Sequence, residues 1–149
     1  MINPLDIQSN IVALLQAIPE LVDAVGDVDS IQGHDDESVF AGDADTAAMN
    51  MMGRAILVAW TGAELPREGE TRGWTHNFRI AVKAQSITDY FSIAKMIFDG
   101  IPQEPAGDGC NTFLNSTIHD ECDGVQNADL SPQSKSGVYF IDFSITERA

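Results

Sequence analysis

The sequence predicts an α+β domain: a small, mainly antiparallel sheet with an N-terminal helix and a central helix packed on it, and one long hairpin loop. Three observations carry this reading. Trp74 to Lys83 alternates, with Trp74, His76, Phe78, Ile80 and Val82 on one face and Thr75, Asn77, Arg79, Ala81 and Lys83 on the other, the side-chain period of a half-buried strand. Ala55 to Thr61 is a continuous apolar run rich in β-branched and aromatic residues and closed by Gly62, so it reads as a more buried neighbour. Together they make one antiparallel hairpin from Ala55 to Lys83. Two helical stripes flank that hairpin, and a last alternating stretch, Val138 to Thr146, is expected to pair with it.

Taken in order, Asn3-Pro4 supplies a helix cap and a first-turn proline, and Ile7, Ile11, Leu14, Leu15 and Ile18 follow at helical spacing. Pro19 interrupts that stripe, and Glu20 to Val25 continues it for a short turn ended by Gly26. Asp27 to Gln32 reads as a short strand. Gly33 to Asp45 is acidic and poor in apolar residues, which fits a long surface loop or a mobile arm. Thr46 to Gly53 reads as a helical turn leading into the hairpin.

The loop from Gly62 to Gly73 is too long for a tight turn and holds Glu64, Pro66, Arg67, Glu68, Glu70 and Arg72, a composition that disfavours burial. After Lys83 comes the strongest helix, with Thr88 as the expected cap and Tyr90, Ile93, Ala94, Ile97 and Ile101 on one face, stopped by Gly100 and Pro102. Asn111 to His119, with apolar Phe113, Leu114 and Ile118, reads as a short strand or turn of helix, and Asp120 to Ser136 as polar and irregular chain.

A length of 149 residues fits a single domain, 1–149, with one core. The formal net charge is −15, which argues against a protein that neutralises phosphates with clustered Lys and Arg. The charge is uneven. Residues 1–50 carry ten acidic groups and no Lys or Arg, whereas residues 51–100 hold five acids against six bases and residues 101–149 eight against two. A near-neutral block between acidic flanks suits head-to-tail association of identical subunits. No stretch approaches the roughly 18 apolar residues of a membrane span, and no signal peptide is evident at the N-terminus.

No constellation points to catalysis. Cys110, His119 and Cys122 lack the paired C-x2-C spacing of a structural zinc site, so no metal is expected and free thiols are the default, a disulfide being the alternative. Asp35, Asp36, Glu37, Asp43 and Asp45 do not match a calcium loop and read as a solvated acidic segment. His76 sits on an apolar face and reads as a hydrogen-bonded core or interface histidine. Trp60 and Trp74 read as core or sheet-capping aromatics, and Met49, Met51 and Met52 as gap-filling core, a forgiving contact surface being the alternative. The G-x-S-x-G, G-x-x-x-x-G-K and H-E-x-x-H signatures are absent, so no enzyme activity and no cofactor are expected.

The element order resembles the tail-terminator, or tail-completion, proteins of long-tailed non-contractile bacteriophages. It runs from an amphipathic helix and acidic arm through the hairpin Ala55 to Lys83 and a helix ending in Phe98-Asp-Gly-Ile-Pro102. Phe113-Leu-Asn-Ser-Thr-Ile-His119 and the strand Tyr139 to Thr146 with Glu147 complete it. The resemblance implies a structural virion protein assembled in the host cytoplasm. It would form a hexameric ring that caps the tail tube, ends tube polymerisation and offers a surface to the head-tail connector or neck. DNA would pass through without specific binding. On this reading Glu64, Leu65, Pro66, Arg67, Glu68, Glu70 and Arg72 dock the tube or neck. Asp35, Asp36, Glu37, Asp43, Asp45, Asp120, Glu121 and Asp123 would face the lumen or its rim, where negative charge keeps DNA from sticking. The alternatives are a head-side connector or stopper, a small-ligand-binding module, and a regulator of a host enzyme.

Overall fold

The structure, a computed structural model, describes residues 1–34, 53–66, 68–69, 73–101, 118–131 and 137–148. Helix α1 spans Pro4–Gln16: Asn3 caps it by accepting the Leu5 N–H at 3.0 Å, and proline at the first position lacks only an N–H that has no partner in a helix start. Ile7, Ile11 and Leu15 are fully buried, while Leu14 and Ile18 at the stripe's margin are half-buried. Helix α2, Pro19–Val25, ends at Gly26, whose φ of +96° permits the left-handed cap.

A 3-10 turn, Val28–Ser30, leads into strand β1, Ile31–Gly33. The extended segment is therefore shorter than the Asp27 to Gln32 stretch suggests, because the Asp27 side chain accepts the Asp29 N–H at 3.1 Å and turns the chain first.

Strand β2 (Ala55–Glu64) and strand β3 (Thr75–Lys83) form the hairpin. Gly62 does not close β2. The register shifts between Trp60 and Gly62, Gly62 sits at φ +148°, and pairing resumes to Glu64 opposite Thr75. This bulge, which a glycine accommodates, lengthens the arm and shortens the loop expected from Gly62 to Gly73.

Helix α3 spans Ile87–Gly100 and is capped by Ser86, whose Oγ accepts the Asp89 N–H at 3.1 Å; Thr88, the expected cap, lies inside the helix. The stretch Asp120 to Ser136 is not wholly irregular, for Gln126–Leu130 forms strand β4 against strand β5, Val138–Thr146. Its Gln-Asn-Ala-Asp-Leu sequence has no apolar alternation, Asn127 stands at φ +53°, and backbone pairing to β5 holds it.

The sheet order is β1-β2-β3-β5-β4, with β1 parallel to β2 and every other pair antiparallel. The three helices cover one face. There Ile56, Val58, Phe78, Ile80, Val82, Ile141 and Ile145 meet the buried stripes of α1, α2 and α3 in one core. Each fully buried large apolar side chain contributes roughly 1.5–3 kcal/mol. On the opposite face a smaller cluster joins Ala55, Leu57, Ala81 and Val138 with Phe140. Of the two roles expected of Trp60, core or sheet-capping, its 37% exposure rules against the core.

Candidate functional site

The loop end of the hairpin is held by the residues that follow β5. Glu147, just past β5, is buried, and its Oε2 lies 2.8 Å from His76 Nε2 while Oε1 accepts the Ile2 N–H at 3.1 Å. Its backbone accepts the Gly73 N–H and donates to the Trp74 carbonyl, and it bridges Cys122. One residue thus ties together the N-terminus, the start of β3 and the 120–123 segment. With Nε2 on the Glu147 carboxylate, the buried Nδ1 of His76 has no hydrogen-bond partner among the described residues. The reading of His76 as a hydrogen-bonded core histidine is borne out.

A second tie sits where β1 stops. Gln8, 5% exposed, donates from Nε2 to the His34 carbonyl at 2.9 Å and accepts the Trp60 N–H through Oε1 at 2.9 Å. β1 pairs only with Ile56 to Val58, so this amide closes the step from paired to unpaired strand edge. Neither Glu147 nor Gln8 was visible as special in sequence; a polar residue on the apolar stripe beside Ile7 was the available signal for Gln8.

The structure places Glu64 at the exposed end of β2, Leu65 66% exposed beyond it, Pro66 half-buried and Glu68 exposed. Arg67, Glu70 and Arg72 lie outside the described residues, as do Asp35, Asp36, Glu37, Asp43 and Asp45, the Met49, Met51 and Met52 group, and Cys110. Asp120 and Glu121 are exposed. Asp123 is held by Arg148, whose Nε reaches its Oδ1 at 3.1 Å, while the Arg148 backbone N–H donates to the Glu121 carbonyl at 2.7 Å. The acidic segment is therefore stapled to Arg148, next to the residue that holds the start of β3. Cys122 within it is buried, and burial first, then the Glu147 and Asp123 charges, push its thiol up to about 11.

The sheet face opposite the described helices carries a concavity of about 630 Å3 lined by Thr61, Glu64, Thr75, Asn77, Phe78, Arg79, Asn127, Asp142, Phe143 and Ser144. Alternation puts Thr75, Asn77 and Arg79 of β3 and Asp142 and Ser144 of β5 on this face. Arg79 grips Asp142 with both arms, Nε to Oδ1 at 2.8 Å and a terminal nitrogen to Oδ2 at 3.2 Å, and its guanidinium carbon lies 4.6 Å from the centroid of the Phe140 ring. Among the described residues no group of three or more His, Cys, Asp or Glu is placed to hold a metal.

The class these features define is a helix-backed α+β sheet of five strands built around one long hairpin. No family model matches the chain, and no curated protein matches it in sequence. Among solved structures it is similar to a chain of the virion of a native gene transfer agent particle, with a TM-score of 0.52 and 15% sequence identity over 95% of this chain and 92% of that one. A likeness at that identity establishes the shared fold.

Proposed function

We propose that this protein is a non-catalytic structural component of a phage-like virion, and that it caps the tail tube as a ring whose second surface meets the head or neck. The observation that carries the reading is the fold likeness to a virion chain, which spans nearly all of both chains. The charge pattern supports it. Polymerisation of a tube stops when a ring matches the tube on one surface and not on the other, and such a cap needs fitted surfaces and no chemistry. Exposed Leu65, just beyond the end of β2, offers a surface of this kind. Exposed Asp120 and Glu121 are the described candidates for a lumen rim that repels DNA.

Electron microscopy of the purified protein, alone and with tail tubes, tests the proposal: hexameric rings seated on tube ends are expected. Strictly monomeric protein at high concentration that also ignores tube ends overturns it, and rings that bind filled heads and not tubes assign the connector role instead. Deleting Pro66 to Arg72 is expected to leave folded rings that fail to join tails to heads; joined particles from that variant remove the tip from the docking role.

A further inference from the structure

We propose that Glu147 is the positioning residue for both surfaces of the proposed cap, so that the loop end of the hairpin and the acidic 120–123 segment are set, and open, as one unit. The inference rests on the reading of those surfaces as docking end and lumen rim. It starts from what the loop end lacks. Among the described residues from Thr61 to Thr75 none is buried, so no buried apolar side chain anchors this end to the core. Segments with few buried apolar contacts open locally, against whatever polar bonds hold them. Beyond the strand pairing and a Thr75–Thr146 hydroxyl contact at 3.2 Å, those bonds converge on Glu147. The Gly73 N–H donates to its carbonyl at 2.8 Å, its own N–H donates to the Trp74 carbonyl at 2.8 Å, and its carboxylate takes His76 Nε2.

The same residue holds the acidic segment. Glu147 bridges Cys122, the Asp123 N–H donates to the Thr146 carbonyl at 2.9 Å on one side of it, and the Arg148 N–H to the Glu121 carbonyl at 2.7 Å on the other. Arg148 adds its guanidinium, Nε to Asp123 Oδ1 and Nη1 to the Asp120 carbonyl, each at 3.1 Å. Packing is tight on the loop side: a Cβ on Gly73 would lie 3.0 Å from the Glu147 Cβ and 3.3 Å from its carbonyl oxygen. An apolar side chain could fill the same space without the cost of burying a carboxylate, a cost offset only when each oxygen is paired. Here both oxygens are paired, one with His76 and the other with the Ile2 N–H, and such bonds fix direction as well as distance. Displacing Glu147 breaks the bonds of both sides at once, so contact of a partner with the loop end bears on the 120–123 segment.

Amide hydrogen exchange followed by NMR tests the coupling. Glu147→Gln keeps the size of the side chain and removes its charge. It should speed exchange at the Ile2, Gly73, Asp123 and Arg148 amides about tenfold, while fully buried Ile80 and Ile141 change by less than about twofold. Gly73→Ala leaves the carboxylate in place and crowds Glu147 from the loop side, so it should speed the Asp123 and Arg148 amides as well as its own, by about threefold or more. Gly100→Ala, which lowers stability through Ile18 at the end of α3, should leave the four amides within about twofold of wild type. Acceleration confined to Gly73 and Ile2, equal acceleration by Gly100→Ala, or wild-type rates in Glu147→Gln would each overturn the proposal. The docking role is read separately: rings of Glu147→Gln should bind tube ends about tenfold more weakly than wild-type rings, and unchanged binding would remove that role. Wild-type rings that ignore tube ends remove the tube reading, whereas the exchange pattern decides the coupling, so the two failures are distinguishable.

Discussion

Single residues in this protein carry work that spans distant parts of the chain. Tyr90 is fully buried, donates its hydroxyl to the Phe140 carbonyl at 2.8 Å and stacks on Tyr139 at 4.6 Å. Burial first, then the Asp142 and Asp129 charges, push its hydroxyl up to about 12 from an ordinary 10.0. The folded state therefore keeps a proton that the unfolded chain releases, so stability falls as pH rises between those values, by roughly 3 kcal/mol over the full interval. Urea unfolding between pH 8.5 and 11 should show wild type losing stability relative to Tyr90→Phe, with Tyr90→Phe about 1 kcal/mol weaker near neutrality. Cys122 offers a second check. With Cys110→Ser leaving one thiol, alkylation at pH 8 should run at least about a hundredfold slower in the folded protein than in denaturant. Glu147→Ala, which strips an acceptor from both His76 and Ile2, should lower stability by about 2–3 kcal/mol in the same unfolding assay, and Glu147→Gln by less.

At the scale of elements, the start and end of α3 decide how it sits on the sheet. Ser86 caps it, and Asp89 in its first turn accepts from the Gln85 N–H at 2.9 Å and from Arg54 Nε at 3.0 Å, which anchors the helix to the entry of β2. Burial opposes the Asp89 charge, but the Gln85 and Arg54 contacts outweigh it and hold the carboxyl below its usual value. Ser86→Ala should therefore cost about 1 kcal/mol by thermal or urea unfolding, and Thr88→Ala less than about 0.5. At the other end, Gly100 is there for space: a Cβ would collide with the Ile18 side chain. Gly100→Ala should cost roughly 1–3 kcal/mol through overpacking, and Ile18→Val in the same chain should recover part of it, a coupling that a double-mutant cycle measures.

For the whole molecule, electrostatics and shape act together. The α1 and α2 layer exposes Asp6, Glu20, Asp23, Asp27 and Asp29, and residues 1–50 contain no Lys or Arg, so subunits that each carry −15 repel one another at long range. If the proposed ring forms, its assembly should strengthen when salt rises from about 20 to 300 mM, because the Debye length shrinks from about 20 to 6 Å. Sedimentation at the two salt levels reads this, and assembly that weakens with salt would place ion pairs at the subunit contact instead.

Much of the fold was legible because the relevant signals are local. The two-residue alternation of Trp74 to Lys83 and Val138 to Thr146, the Asn3-Pro4 start and the Ile7–Ile11–Leu15 stripe each declare an element and its buried face within a dozen residues. Where the sequence misled, the deciding contact was non-local or hidden in polar composition. Gly62 looked like a stop and is a bulge, since β3 continues to offer partners beyond it; Gln126 to Leu130 looked irregular and is a strand, since β5 provides its backbone bonds.

The candidate site was less legible than the fold. Glu64 was singled out for its place on a loop, but its groove neighbours Asn77, Arg79 and Asp142 were only polar positions on two strands, and Glu147 was a terminal acid with nothing to mark it. By itself, then, the chain determined the central strands, the helices and the apolar face of each, and how strongly acidic the protein is, because period and composition are properties of neighbours in sequence. Tertiary structure alone decided that Asp129 confronts Asp142 and that Glu147 joins His76 to Ile2, because strand register brings together residues whose separation along the chain carries no trace of the pairing.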